Sequence, residues 1–222
     1  MLVNSRTANM WGKPREGVMS KKSPLQQSFR DTYGQRAVDF QWSETSLDSE
    51  GSRVYPSGAR YNGFFKAGLF QGKGTFTWPD GSRYDGEWEN GLPHGAGTML
   101  LADGYRYEGT WTNGSADGKG QETLPDGGRY RGQWKNGLKN GKGEMVSADG
   151  TKYGGDWKDG ISHGRGILIF SDGSKYQGIW KEGYMFGEGI LTSTDGKSYR
   201  GTWKDGRFNI ISEVGKSTAA EG

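Results

Sequence analysis

Two histidines, His94 and His163, and a ladder of aspartates, Asp80, Asp103, Asp126, Asp149, Asp172 and Asp195, are the side chains whose spacing invites a metal reading. The histidines stand 69 residues apart, too far along a repeating chain to share an ion. Each aspartate precedes a glycine, and an Asp-Gly pair in a turn spends its carboxylate on its own backbone. Gly-x-Gly recurs and would tempt a nucleotide reading, but a strand pattern follows it. The helix N-terminus that holds phosphate is missing, and no GxxxxGK[ST] is present. No Ser/His/Asp arrangement recurs and cysteine is absent, so thiol catalysis and Cys-based zinc sites are excluded. The expectation is a chain with no catalytic centre, no cofactor and no metal.

The elements that would position such residues are set by a period. Tyr61, Tyr84, Tyr107, Tyr130, Tyr153, Tyr176 and Tyr199 are separated by 23 residues every time, and each opens the phrase Tyr-x-Gly-x-Trp, with Phe65 for Trp in the first. Units of this length bury their apolar side against neighbours, so the functional question moves from an active site to a surface. About five glycines per unit, at ~1 kcal/mol each relative to Ala, exclude helix. Tyr84-Asp85-Gly86-Glu87-Trp88 alternates as a strand does, and a second short strand is predicted through Thr98, Met99, Leu100 and Leu101, with Gly91, Gly95 and His94 in the hairpin loop between them.

The Asp-Gly pairs join one hairpin to the next by a two-residue or a three-residue loop. Only the three-residue loop, with glycine at positive φ, places Phe76, Met99, Met145, Leu168 and Leu191 on the face of the following Tyr and Trp. Gly63, Gly86, Gly109, Gly132, Gly155, Gly178 and Gly201 then lie between Tyr and Trp, leaving room for leaning rings. The predicted fold is all-β: an elongated, twisted antiparallel meander of stacked β-hairpins in a single-layer sheet. Its aromatic face carries Tyr84, Trp88, Tyr107, Trp111, Tyr130, Trp134, Tyr153, Trp157, Tyr176 and Trp180.

Only 31% of the 222 residues are hydrophobic and 41 are Gly, which argues against a conventional two-layer core. The net charge of +3 is uneven. Residues 1–36 hold seven basic and two acidic side chains, against 22 and 24 in the rest, so a generally basic nucleic-acid-binding array is disfavoured. Residues 1–36 read as a flexible basic arm, 37–60 as a degenerate capping repeat that includes Val38, Phe40 and Trp42, 61–198 as six repeats, 199–212 as a truncated seventh, and 213–222 as a tail. No run approaches the roughly 18 apolar residues of a membrane span. With no secretory signal in Met1 to Lys13, a cytoplasmic protein is expected.

The phrase Tyr-x-Gly-x-Trp-x-x-Gly-x-x-x-Gly-x-Gly, ending in Asp-Gly, resembles the membrane occupation and recognition nexus (MORN) repeat. Full instances begin at Tyr84 (YDGEWENGLPHGAG), Tyr107, Tyr130, Tyr153 and Tyr176, whereas the copy at Tyr199 has Ile210 and Ser212 where glycines are expected. The resemblance covers about residues 59–206 and implies a hairpin per repeat. Such repeats occur in lipid-kinase accessory regions, membrane junctions, cytoskeletal scaffolds and ciliary axonemes. A chain made almost wholly of repeats is most similar to small scaffolding members of the radial-spoke type. The resemblance therefore implies a non-enzymatic scaffold in a cytoskeletal or axonemal assembly of the cilium or flagellum, with other proteins as partners.

Two departures within the repeats locate candidate surfaces. Arg60, Arg83, Arg106, Arg129, Lys152 and Lys175 precede the repeat tyrosines and form a basic column opposite the aromatics; cross-strand pairing with Asp85, Glu87, Glu108 and Asp156 is the plain reading and an acidic-phospholipid track the alternative. Late in the array Ile167, Ile169, Ile179 and Ile190 replace polar residues, near a loop reading Tyr184-Met185-Phe186, and Phe208, Ile210 and Ile211 follow. Apolar side chains on a face that other copies leave polar mark either a patch over which the N-terminal arm or the C-terminal tail packs, or an interface with a partner or a second copy. Aromatic and isoleucine side chains would be its anchors.

Overall fold

The computed structural model describes residues 48–204 and 206–215. The basic arm, Val38, Phe40, Trp42 and residues 216–222 lie outside them. Fifteen antiparallel strands follow one another in chain order in one open sheet, with no helix among the described residues. The chain divides at Gly141/Lys142 into two compact units. The first holds β1 (Ser49–Val54), β2 (Arg60–Lys66), β3 (Leu69–Thr77), β4 (Arg83–Glu89), β5 (Leu92–Leu100), β6 (Arg106–Thr112), β7 (Ser115–Thr123) and β8 (Arg129–Lys135). β9 (Leu138–Val146) spans the division. The second unit continues with β10 (Lys152–Lys158), β11 (Ile161–Ile169), β12 (Lys175–Lys181), β13 (Tyr184–Thr192), β14 (Ser198–Lys204) and β15 (Arg207–Val214).

The turn joining one repeat to the next is the expected three-residue loop. Gly81 N donates to Trp78 O (3.0 Å), Trp78 N donates to Ser82 O (2.8 Å), and Gly81 sits at φ +87°. That is a type I turn closed by a left-handed glycine. Asp80 Oδ1 accepts from Ser82 N at 2.8 Å, and Asp103, Asp126, Asp149, Asp172 and Asp195 each do the same two residues on. The aspartate ladder is turn chemistry.

The turn inside each repeat differs from the sequence reading. Asn90 and Gly91, at φ 50° and 80°, form a two-residue loop with both residues left-handed, so the second strand begins at Leu92 and not near Thr98. His94, His163 and the Tyr184-Met185-Phe186 run accordingly lie in β5, β11 and β13, not in loops. The misreading has a physical source in Gly95, which opens a bulge within a strand. Across β4 and β5 the register runs Glu87↔His94 and then Gly86↔Gly97, leaving Gly95 (φ 60°) and Ala96 unpaired on the longer strand. Nine-residue strands therefore face seven-residue ones from β2 to β13.

The repeat tyrosine answers the bulge. Tyr84 Oη donates to Glu87 O at 3.0 Å, and the bond recurs from Tyr61, Tyr107, Tyr130, Tyr153 and Tyr176 to the carbonyl three residues on. The ring reaches that carbonyl by lying across a glycine pair. A Cβ on Gly97 would stand 2.2 Å from Tyr84 Oη, and one on Gly86 only 2.5 Å from Gly97 Cα. Three tryptophans reach backwards instead: Trp88 Nε1 donates to Gly74 O (2.9 Å), Trp111 Nε1 to Gly97 O (3.1 Å) and Trp157 Nε1 to Gly143 O (3.1 Å), whereas the Nε1 atoms of Trp134, Trp180 and Trp203 are buried without a hydrogen bond among the described residues. The first unit thus carries a zigzag of edge-to-face rings, with Trp88–Tyr84 at 4.9 Å, Tyr84–Trp111 at 5.2 Å, Trp111–Tyr107 at 5.1 Å and Tyr107–Trp134 at 5.0 Å. The second unit repeats it through Trp157, Tyr153, Trp180, Tyr176 and Trp203. Each such pair contributes about 0.5–1.5 kcal/mol beyond its buried area.

Burial pushes the Tyr61 and Tyr176 phenols up to about 12, and those of Tyr84, Tyr107 and Tyr153 higher still. An unfolded phenol ionises near pH ~10. Stability from these neutral phenols is complete below pH ~10 and is lost as pH rises through ~12, because only the unfolded chain can then release their protons. Tyrosinate absorbance in an alkaline titration is expected to rise together with the loss of near-ultraviolet circular dichroism. Ionisation of every tyrosine near pH ~10 with the fold intact would contradict this packing.

The last strand breaks the pattern. Ile210 occupies the position of the left-handed bulge glycine, a conformation a β-branched residue avoids. The bulge shortens to one residue: Gly201 pairs with Ile210, Arg200 pairs with Ser212, and Ile211 is left out. This one-residue change brings Glu213, and not Val214, opposite Tyr199.

Candidate functional site

The aromatic side of the sheet packs on itself. The ten aromatic residues from Tyr84 to Trp180 are at most 3% exposed, so they are core and not the anchors expected from the sequence. Phe208 packs there against Trp203 (5.7 Å) and Tyr176 (6.4 Å), and Met185, cross-strand from Trp180, is buried on the same side. Ile210 pairs with Gly201 and follows Phe208 by two residues, which places it on this side as well, half exposed on β15. Three of the ten partner-binding candidates are thereby separated from the isoleucine surface, and Ile211 lies at the bulge, 67% exposed.

The remaining candidates do converge, on the opposite side of the second unit. Ile179 pairs with Phe186 and with Arg165; Ile167 and Ile190 flank Gln177 from either side; Ile169 lies between Lys152 and Lys175. Tyr184 pairs with Lys181, whose ammonium stands 5.4 Å from the Phe186 ring centroid. Ile167, Ile169 and Ile179 are 36–38% exposed, Tyr184 and Phe186 more than half, and Ile190 is partly covered. In the first unit the row equivalent to Ile167, Gln177 and Ile190 holds Asn62, Thr75, Asp85, Thr98, Glu108 and Gln121, while the flanking rows carry Phe64, Leu69 and Leu100 among polar residues.

Between two of these rows lies a groove of about 710 Å³. Its floor is the bare backbone of Gly155, Gly166, Gly178 and Gly189, because the missing side chains of those glycines would point to the aromatic side. Ile167, Gln177 and Ile190 form one wall, Arg165, Ile179 and Glu188 the other, and Lys142 and Arg200 stand at its ends. Lys142 Nζ lies 2.6 Å from Asp156 Oδ1. Partial desolvation works against ionisation of Asp156, yet Lys142 and the Arg165 N–H hold its carboxyl below the usual range. Arg200 makes no ion pair among the described residues. Arg165, Glu188 and Arg200 were not anticipated as site residues. The signal was present in the register, which sets them beside the isoleucines.

The six-residue basic column is diluted by its neighbours. Across the first unit the row reads Val54, Arg60, Thr77, Arg83, Leu100, Arg106, Thr123, Arg129, so successive cations are two strand spacings, about 9.6 Å, apart. Arg83 pairs with Asp85 and Arg106 with Glu108 (2.7 Å), along the strand and not across it. The expected cross-strand partners fail because Thr and Leu occupy those positions. Arg106 and Gln121 hold the Glu108 carboxyl below its usual range. His94 Nδ1 lies 3.1 Å from Glu89 Oε2, and no group of three metal-ligating side chains gathers among the described residues.

The sequence reading also missed a charged cluster inside the aromatic side of the first unit. Glu122 stands where other copies carry Phe76, Met99 or Leu168, and Lys139 where they carry Phe70, Pro93 or Met185. Their side chains, 0% and 4% exposed, form an ion pair. Tyr105 Oη donates to Glu122 Oε2 (3.1 Å), and Lys139 Nζ lies 5.0 Å from the Tyr130 ring centroid.

The MORN repeat model matches residues 61–83, 84–104, 107–129, 130–152, 153–175, 176–198 and 199–209, well over half of the chain. The chain belongs to the MORN-repeat family. In MORN terms, each repeat is a seven-residue strand, a left-handed two-residue turn and a bulged strand, and the seventh match ends at Asn209, directly before the bulge changes. No curated protein matches the chain. Solved structures that resemble it include the TCP domain of Drosophila melanogaster SAS-4 (14% identity, 76% of this chain and 99% of that one, TM-score 0.43). The TCP10 domain of Danio rerio CPAP is another (15%, 73% and 82%, TM-score 0.34), as is a CPAP G-box domain (18%, 74% and 99%, TM-score 0.35). Superpositions this loose carry no functional argument. The MORN repeats themselves point to a protein-interaction or scaffold role, and this family is generally non-enzymatic.

Proposed function

We propose that this MORN-repeat chain is a scaffold that engages partner proteins through the isoleucine-lined face of its second unit, within a cytoskeletal or ciliary assembly. One observation carries the reading: the aromatic side is consumed by its own packing, whereas Ile167, Ile169, Ile179, Tyr184 and Phe186 gather exposed on a face where the first unit is mostly polar and shows Val54, Leu69 and Leu100 as exposed exceptions. Exposed apolar side chains gathered in one place mark interaction sites. The assembly is proposed from the similarity to small all-repeat family members, and imaging of the tagged chain in ciliated cells tests it.

The surface is tested by capture from a cell extract followed by mass spectrometry, comparing the wild-type chain with an Ile179→Lys/Phe186→Glu variant. Both side chains point away from the core, so the thermal midpoint should stay unchanged while the specific partners are lost. An unchanged partner set with the variant folded would refute this surface.

A further inference from the structure

Resting on that reading of the face, we infer that the groove across β10–β14 takes an extended segment of a partner protein that alternates apolar with acidic side chains. From β10 to β14, with Lys142 of β9 reaching its rim, the groove crosses five strands, four spacings or about 19 Å, which accommodates about six residues of extended chain. Its glycine floor presents backbone without side chains, so a main chain can approach closely. Ile167 and Ile190 on one wall and Ile179 on the other receive apolar side chains. The charge is asymmetric: Lys142, Arg165 and Arg200 line the groove against the single carboxylate of Glu188. Asp156 engages Lys142 and lies beside Arg165 as well, which leaves Arg200 as the cation best placed to receive a carboxylate. A planar guanidinium takes a carboxylate through two parallel hydrogen bonds, which favours Asp and Glu on the incoming chain.

The same charge argues against the basic N-terminal segment as the occupant. Residues 1–36 carry seven basic and two acidic side chains and would bring like charge to the groove. Residues 215–222, Gly-Lys-Ser-Thr-Ala-Ala-Glu-Gly, hold no large apolar side chain to fill it. The segment Val38–Leu47 of a second copy has a suitable composition, with Val38, Phe40, Trp42 and Leu47 beside Asp39 and Glu44, and serves as the competing occupant in the test.

The experiment selects from a random phage-displayed library of roughly ten-residue peptides on the immobilised full chain. Enriched peptides should alternate apolar residues with Asp or Glu. Their synthetic forms should bind at least tenfold more weakly, on the order of 1.4 kcal/mol, to Ile179→Ser/Ile190→Ser and to Arg200→Glu, both with unchanged thermal midpoints. A repeat selection on Arg200→Glu should lose the acidic preference. Enrichment without acidic residues, indifference to Arg200→Glu, or no groove-dependent peptide at all would each overturn the inference. So would a synthetic Val38–Leu47 peptide that displaces the selected peptides with equal affinity, since the groove would then belong to this chain's own segment. If the extract capture still depends on Ile179 and Phe186 while selection fails, the partner surface stands and only its chemistry is wrong; if the capture is also unaffected, both fall.

Discussion

Glu122→Leu alone is expected to cost about 3–5 kcal/mol of folding stability, read as a fall in the denaturation midpoint. The substitution leaves Lys139, whose side chain is 4% exposed, as a buried charge without its carboxylate, and it removes the acceptor of the Tyr105 hydroxyl. Lys139→Met alone should cost a comparable amount by stranding Glu122. The pair itself is a different quantity. Desolvating two ions roughly cancels their attraction, so Glu122→Leu/Lys139→Met combined with Tyr105→Phe should return to within about 1 kcal/mol of the wild type or exceed it. Met99 and Met145 occupy the Glu122 position in the adjoining repeats, and Phe70, Pro93 and Met185 the Lys139 position in more distant ones, so hydrophobic side chains are compatible with these places in the repeat. Single variants within about 1 kcal/mol of wild type would show that water reaches the cluster.

The second large effect is steric. Gly155→Ala should destabilise the second unit by about 3 kcal/mol, since its Cβ would stand 2.6 Å from both Arg165 O and Gly166 Cα, backbone atoms of the paired strand. No rotamer relieves that contact; β10 and β11 would have to separate. Gly173→Ala is the control. That glycine sits at φ +88° in an Asp-Gly turn with open space around it, so only the backbone preference is lost, about 1 kcal/mol. Equal losses for the two variants, measured by chemical denaturation, would mean that the glycine columns serve the turns and not the ring packing.

The Asp-Gly register was legible because only one loop length puts Met99 beside Tyr107, and a slip of one residue inverts a whole strand. The second strand's start was hidden by Gly91, Gly95 and Gly97, three glycines with three different tasks: a left-handed turn, a bulge and a seat for a tyrosine ring. Composition alone cannot separate them. Ile167, Ile179 and Ile190 were correctly assigned to one face because strand alternation decides it, and the same alternation removes Met185 from that face once the run is a strand. The Tyr105–Glu122–Lys139 cluster escaped because each member is a single departure in a different repeat. Only the strand register joins them.

The direction of the tryptophan bonds has a consequence for how the chain is made. Trp88, Trp111 and Trp157 donate to glycine carbonyls 14 residues earlier, and Gly91, Gly114 and Gly183 donate to the strand before them. Every one of these donors arrives later in the chain than its acceptor. A ribosome that releases the protein from its N-terminus therefore presents each emerging repeat with acceptors already in place. Arrest after any repeat leaves these acceptor carbonyls on an open strand edge, where a second lone pair is readily hydrated, and takes the acceptor from none of these three indoles. Growth in the opposite order would leave an unanswered donor at every step.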